Sequence, residues 1–347
     1  MTPRERAVAA FELRQPDDIV PTFELQFQLA EELLGKKHIS DRELDEAVSA
    51  DARERMIVEN AQLYIEEAET LDYSIIALNM GPGRPDYMAQ TLKAFYRLAG
   101  DKYLYAIMAD GTMSIPNGSN MMQVVEEIAD RPDEVHARHK SWVEGTIEHA
   151  RFLADAGANV ALMCADYCFN DGPFLSPTMF SQFVTPYLTK VVAAIHDAGG
   201  LAVKHTDGAI MPILDQMVAA GIDALHSLDP MAGVDIAEVK RLYGDRICLI
   251  GNVNCAKVQA GTKAEVRRSA EYCLKHGGVQ QGGYIYATSN CIFSGNSAPN
   301  GSGGGVYSMR SSPNIRGCTF TSNTTGRWGG GGIFCNDGTP LISGCAF

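Results

Sequence analysis

Eight short apolar runs, separated by longer stretches of helical periodicity, dominate the first 290 or so residues. They are Val20–Leu25, Tyr73–Leu78, Leu104–Met108, Val160–Cys164, Leu201–Lys204, Ala224–His226, Ile247–Ile250 and Tyr284–Ala287. Runs of this length suit strands. Alternation with amphipathic segments makes them βα units of a parallel sheet. The intervening segments include Glu134–Ala156, Met179–Ala198, Ile210–Ala220 and Lys263–His276, several of which end at glycine, as helices tend to do. Eight units in this span favour closure over an open sheet, so the predicted fold is α/β, a (β/α)8 (TIM) barrel over residues 1–295.

Composition narrows the function. The formal charge of -13, with no basic cluster to offset it, argues against a nucleic-acid partner. No window approaches a membrane-spanning apolar length, and the charged start MTPRERAVAAFELRQPDD does not read as a signal peptide. A small-molecule ligand and a cytoplasmic setting are expected, and nine scattered cysteines suit reduced thiols.

After about Gly295 charged residues nearly vanish and Gly, Ser, Asn and Thr take over. A 27-residue unit repeats there, in a register that starts at Cys291 and begins again at Cys318 and Cys345. It aligns Phe293 with Phe320 and Phe347, Val306 with Ile333, Tyr307 with Phe334, and Ile315 with Ile342. Matched apolar positions between Gly/Asn turns predict a short parallel β-helix-like fragment over 296–347. It resembles the right-handed β-helix repeats of secreted and surface-anchored bacterial proteins. Roughly three or more coils are needed before neighbours cover one another, so the fragment is expected to be unstable by itself. The seam falls at Asn290–Gly295. The barrel is expected to lack its usual last helix, and the join reads as an artificial or recent fusion.

In a (β/α)8 barrel the reacting groups lie at the C-terminal ends of strands. Those ends supply Glu24, Asn79, Asp110, Asp166 with Asp171, His205 with Asp207, His226 with Asp229, Asn252 with Asn254, and Asn290 with Cys291. The sharpest local signal is LAVKHTDGAIMPIL, where an apolar strand runs into His205 and Asp207. Residues two apart on an extended segment face the same way, so this pair can share a metal or a proton. The structural alternative is a packed histidine beside an aspartate that caps the next helix. Cys164 and Cys168 read as packing residues, and GPGRP at 81–85 as a turn. Asn252 and Asn254 serve either a ligand or the backbone at a strand end.

The stretches LMCADYCFNDGPFLSP, LAVKHTDGAIMPILDQMVAAGIDALHSLDP, RICLIGNVN and GGYIYATSN occur in the order and spacing of the uroporphyrinogen decarboxylase superfamily, which residues 1–295 resemble. The resemblance implies a TIM-barrel enzyme, either a porphyrinogen decarboxylase or a zinc-dependent methyltransferase acting between a corrinoid protein and a thiol. Three departures bear on the choice. Where decarboxylases carry an arginine-bearing loop for substrate carboxylates, this chain has PTFELQFQLAEELLG with Glu24. Where their catalytic aspartate follows the second strand, it has Asn79. Where the methyltransferases have a His-x-Cys pair and a later Cys, this chain keeps His205, has Asp207 in place of the first Cys, and carries Asn290-Cys291 near the position of the later one.

An acidic and histidine-rich mouth suits a metal ion better than an anionic substrate, Lys204 and Arg84 being the nearby cations. Zinc accepts nitrogen, carboxylate and thiolate together. The expected ligands are therefore His205, Asp207 and Cys291. Asp166, Asp171 and His226 are expected as catalytic or substrate-orienting groups, and Glu24, Asn79, Asn252 and Asn254 as substrate contacts. The expected partners are a small-molecule substrate, a corrinoid protein and a second copy of the chain. Three readings stay open: methyl transfer, true uroporphyrinogen decarboxylation, and a non-catalytic surface or adhesion role led by the tail.

Overall fold

A computed structural model describes residues 1–116, 120–278 and 282–288, and beyond these only the backbone of short strands between 293 and 343. Cys291, expected as a metal ligand, lies outside the described residues. The chain divides into two units. One comprises Met1–Met113, Arg138–Val253 and Ala270–Ser289, the other Ser114–Ala137, Asn254–Ser269 and Asn290–Phe347.

The first unit is built on a parallel sheet. Its strands are β1 (Ile75–Leu78), β2 (Leu104–Met108), β3 (Val160–Met163), β6 (Leu201–Thr206), β7 (Ala224–Ser227), β8 (Cys248–Gly251) and β9 (Tyr284–Ile285), hydrogen-bonded in that order. Between β3 and β6 stands a small antiparallel hairpin of β4 (Cys168–Phe169) and β5 (Gly172–Pro173). Seven of the eight expected runs are therefore strands of one sheet. The eighth, Val20–Leu25, pairs only through Thr22, which bridges in parallel to both Tyr73 and Tyr286 at the two edges of the sheet. The Ser74 N–H donates to the Thr22 carbonyl at 2.8 Å, the Phe23 N–H to the Tyr286 carbonyl at 3.0 Å and the Tyr286 N–H to the Pro21 carbonyl at 2.8 Å. This segment closes the sheet into a barrel. Its pairing is short because Pro21 has no N–H to offer a ladder.

The strands are buried along nearly their whole length, as expected for a parallel sheet covered on both faces. Helix Ala50–Thr70 starts at Ser49, whose side chain accepts from the Ala52 N–H. Helix Pro85–Ala99 packs against it and ends at Gly100. The expected Met179–Ala198 segment is two helices, Pro177–Phe183 and Thr185–Asp197. Pro186 breaks the run because it has no N–H to continue the ladder, yet it is tolerated in a first turn. Ile210–Ala220 shortens to Leu214–Ala219, and Lys263–His276 is helix Lys263–Cys273 running into a π-helical turn, Leu274–Gly278.

In the second unit, helix Met121–Asp130 and helix Cys255–Ala260 are described, and the tail strands pair two by two. Phe293–Ser294 pairs in parallel with Phe320–Thr321, Ser297–Ala298 with Thr324–Thr325, Val306–Met309 with Ile333–Asn336, and Asn314–Arg316 with Leu341–Ser343. Every pair has the 27-residue offset of the sequence repeat.

Candidate functional site

Register places the site. Met163 of β3 pairs with Lys204 of β6, and His205 pairs with His226 of β7. The chain leaving β3 therefore reaches Asp166 just where β6 delivers His205 and Asp207. The end of β6 is pinned by Gly208, whose φ of +88° favours glycine and where a Cβ would lie 2.5 Å from the Cys168 carbonyl oxygen. The next residue, Ala209, donates its N–H to the Phe169 carbonyl at 2.9 Å, docking the hairpin on the strand end.

One ligand atom from each of Asp166, His205 and Asp207 lies within 4.8 Å of the others. The His205 Nε2 is 3.9 Å from Asp166 Oδ1 and 3.9 Å from Asp207 Oδ2, and the Asp207 N–H donates to Asp166 Oδ1 at 3.1 Å. His205 is buried, Asp207 and Asp166 partly so, and Asp207 Oδ1 is a buried oxygen without a hydrogen-bond partner. A histidine nitrogen with two carboxylates, one of them with an orphaned oxygen, is a donor set that zinc accepts. The spacing fits a cation drawn in among them.

Burial and like charge tune these groups. Burial first, then the negative charge of Asp166, pushes the Asp207 carboxyl up to about 8, with Asp229 adding to the effect and Ser227 opposing it. The His205 imidazole is pushed down to about 4, chiefly by burial and further by Lys204, against the attraction of Asp166. His226 is lowered as well, by burial and by His205, partly offset by the Thr288 backbone. Both rings are neutral at pH 7. Their Nδ1 atoms are 2.8 Å apart, so one must donate and the other accept. If His205 keeps its Nε2 lone pair for a cation, its Nδ1 carries the proton and His226 accepts it. The His226 proton then sits on Nε2, which is buried without a hydrogen-bond partner.

The other expected residues are placed less centrally. Asp171 is exposed at the turn between β4 and β5. The Asn79 amide donates to the Leu25 carbonyl, and its Oδ1 accepts from the Phe27 N–H at 3.3 Å. Asn252 is buried and donates to the Leu228 carbonyl at 2.7 Å, while Asn254 accepts from the Lys257 N–H at 3.1 Å as the cap of Cys255–Ala260. These amides serve the backbone. Glu24 accepts from the Thr288 hydroxyl at 2.7 Å, and burial raises its carboxyl.

Its position at a strand end predicts Lys204 as a cation near the mouth. It is instead fully buried and paired with Asp110 at 2.8 Å. The signal was a lysine inside an apolar strand, LAVKHT, because a buried ammonium requires a partner. Arg84 is exposed and bound to Asp45 and Asp86.

Residues 106–299, more than half of the chain, match the family model described as uroporphyrinogen decarboxylase (URO-D). The chain belongs to the URO-D family. Among curated relatives, the methylcobamide:CoM methyltransferase MtaA of Methanosarcina barkeri is 30% identical over 135 residues, which is 39% of this chain and 38% of the relative. Uroporphyrinogen decarboxylase of Coxiella burnetii is 24% identical over 166 residues, 45% of this chain and 42% of the relative. The matched stretch thus spans about two fifths of the length of these URO-D relatives, which are enzymes of both kinds. In solved structures the fold is shared with a methyltransferase from Methanosarcina mazei at a TM-score of 0.64 and 17% identity, over 83% of this chain and 93% of the other.

Proposed function

We propose that this URO-D family member is a zinc-dependent methyltransferase that moves a methyl group from a corrinoid, carried by a partner protein, to a small thiol. The observation that carries the reading is the convergence of Asp166, His205 and Asp207 at the ends of adjacent strands, with ligand atoms within 4.8 Å. Similarity to a methylcobamide:CoM methyltransferase supports the choice of reaction.

His205 through Nε2, and Asp207 and Asp166 through carboxylate oxygens, would hold the ion. Bound zinc would act as a Lewis acid that lowers a thiol's pKa, so that the thiolate is available as nucleophile at neutral pH. The protein's own part is to keep His205 neutral, to fix its tautomer through His226, and to concentrate negative charge where a cation is to bind. Two carboxylates balance a divalent ion in charge. The substitution of carboxylate for thiolate at position 207 makes the donor set harder while staying within zinc's range. Porphyrinogen decarboxylation is the weaker reading because Asn79 and Glu24 replace the expected aspartate and arginine loop.

The test begins with metal analysis of the purified full chain, expected to give about one zinc per chain, lost in His205→Ala. Methylcobalamin with 2-mercaptoethanesulfonate is then the assay, followed by the absorbance change on cobalamin demethylation. Absence of metal together with absence of thiol methylation in the zinc-supplemented chain would refute the reading.

A further inference from the structure

The loop carrying Asp166 is held from the opposite face of β6. Successive strand residues point to opposite sides, so His205 and Asp207 share one face while Lys204 and Thr206 share the other. Lys204 Nζ donates to Asp110 Oδ2 at 2.8 Å, to the Ala165 carbonyl at 2.8 Å and to the Met163 carbonyl at 3.1 Å, and lies 4.1 Å from the centroid of the Tyr167 ring. All three of its protons have acceptors. Asp110 is as fully engaged. Its Oδ2 also accepts from the Ala165 N–H at 2.8 Å, and its Oδ1 accepts from the N–H and hydroxyl of Thr112 at 2.9 and 2.6 Å. The Tyr167 hydroxyl meets Thr112 Oγ1 at 2.6 Å, and the Tyr167 N–H donates to Thr206 Oγ1 at 3.0 Å.

Both main-chain polar groups of residue 165 and the N–H of residue 167 are therefore fixed. Asp166 lies between them. Asp166 is only partly buried, and a looser loop would let it turn towards solvent, away from His205 and Asp207. Packing alone does not call for a buried ion pair at this place, since apolar side chains of similar shape commonly stabilise a core as well or better.

We propose that Lys204 and Asp110 are positioning residues for divalent-metal binding: they clamp the Ala165–Tyr167 loop so that the Asp166 carboxylate completes a cation site with His205 and Asp207. Neither touches the ion. The inference rests on the metal-dependent reading above and assigns a function to the far face of β6.

The experiment is a double-mutant cycle on the full chain. Zinc affinity is measured by competition with a chromophoric chelator in wild type, Lys204→Met, Asp166→Asn and the double variant, alongside the visible absorption of each protein loaded with Co²⁺. Lys204→Met is expected to weaken zinc binding by about tenfold or more, in the range typical of groups that orient metal ligands. The double variant should bind no worse than Asp166→Asn alone, and the cobalt spectrum of Lys204→Met should move to that of Asp166→Asn. Wild-type affinity in Lys204→Met, or losses that multiply in the double variant, would overturn the inference while leaving the metal reading intact. Should Lys204→Met fail to fold, Thr112→Val enters the same cycle. It removes only the hydroxyl that links Asp110 to Tyr167, and its loss of affinity should vanish in the Asp166→Asn background; a loss that persists there overturns the inference. A wild-type chain that binds neither zinc nor cobalt overturns both proposals.

Discussion

His226 bears on the candidate site through a single proton. With both imidazoles neutral and their Nδ1 atoms 2.8 Å apart, the ring that offers Nε2 outward must donate at Nδ1. His226→Phe keeps a ring beside Phe23, whose centroid is 5.8 Å away, but leaves the His205 Nδ1–H without its acceptor. It is expected to lower zinc affinity by roughly 10–100-fold, measured by chelator competition. Asp207 gives a pH signature. Its carboxyl is raised to about 8 by burial and Asp166, so the metal-free protein holds a proton there at pH 7 that zinc must displace. Zinc affinity should rise from pH 6 to about 8 and then flatten, with proton release visible by calorimetry in buffers of different ionisation enthalpy. Stability of the metal-free chain carries the opposite sign. Between the ordinary aspartate range and about 8 the folded state binds more protons at Asp207 than the unfolded state, so this group lowers stability as pH rises through that window. Asp207→Asn removes the penalty, and its gain over wild type in urea unfolding should be larger at pH 8 than at pH 5. His205 acts from the other side: its lowered imidazole stabilises the fold above the ordinary histidine range, and that contribution is lost as pH falls towards about 4.

At the scale of elements, the turn after β6 joins site to scaffold. Gly208 is held at a φ of +88°, with carbonyl oxygens of Cys168 and Phe169 at 2.5 and 2.6 Å from where a Cβ would stand. Gly208→Ala therefore adds both backbone strain and a clash with main chain that cannot move without shifting the hairpin. A loss of about 2 kcal/mol or more in urea unfolding is expected, accompanied by weaker zinc binding, and a neutral result would show that the hairpin is not docked as described. The same turn shows what a sequence discloses. LAVKHTDG announces its strand by apolar alternation and its end by glycine, and the two-residue spacing of His205 and Asp207 puts both on one face, so this half of the site was legible. Asp166 could be named as a strand-end acid, but its closeness to Asp207 depends on the β3 to β6 register and on the hairpin, which are non-local. The role of Lys204 was hidden for the same reason, because its partner Asp110 is 94 residues away in sequence. Pattern also lengthened Val20–Leu25 into a full strand, although Pro21 limits its ladder to Thr22, and it ran Met179–Ala198 together across Pro186.

For the whole molecule, charge separates the two chemistries known among the relatives. The chain carries -13 overall, and the strand ends of the barrel unit gather the acidic side chains of Glu24, Asp166, Asp207 and Asp229, beside Asp110, whose charge is matched by Lys204. Lys204, the cation among them, is fully buried and already neutralised by Asp110. A porphyrinogen dense in carboxylates would approach an acidic mouth, and where its arginine loop is expected Glu24 is half-buried and accepts from the Thr288 hydroxyl. The repulsion extends over about a Debye length, roughly 8 Å at physiological ionic strength. A divalent cation meets the reverse field, since the acidic mouth attracts it and its two charges offset two carboxylates. Uroporphyrinogen incubated with the zinc-loaded full chain is therefore expected to release carbon dioxide no faster than with His205→Ala. Raising the salt concentration should not restore turnover, because the loss lies in missing binding groups as well as in long-range repulsion. Release at ordinary enzymatic rates, abolished by His205→Ala, would mean that this site recognises its anion by means other than the arginine loop, and would replace the methyl-transfer proposal with decarboxylation.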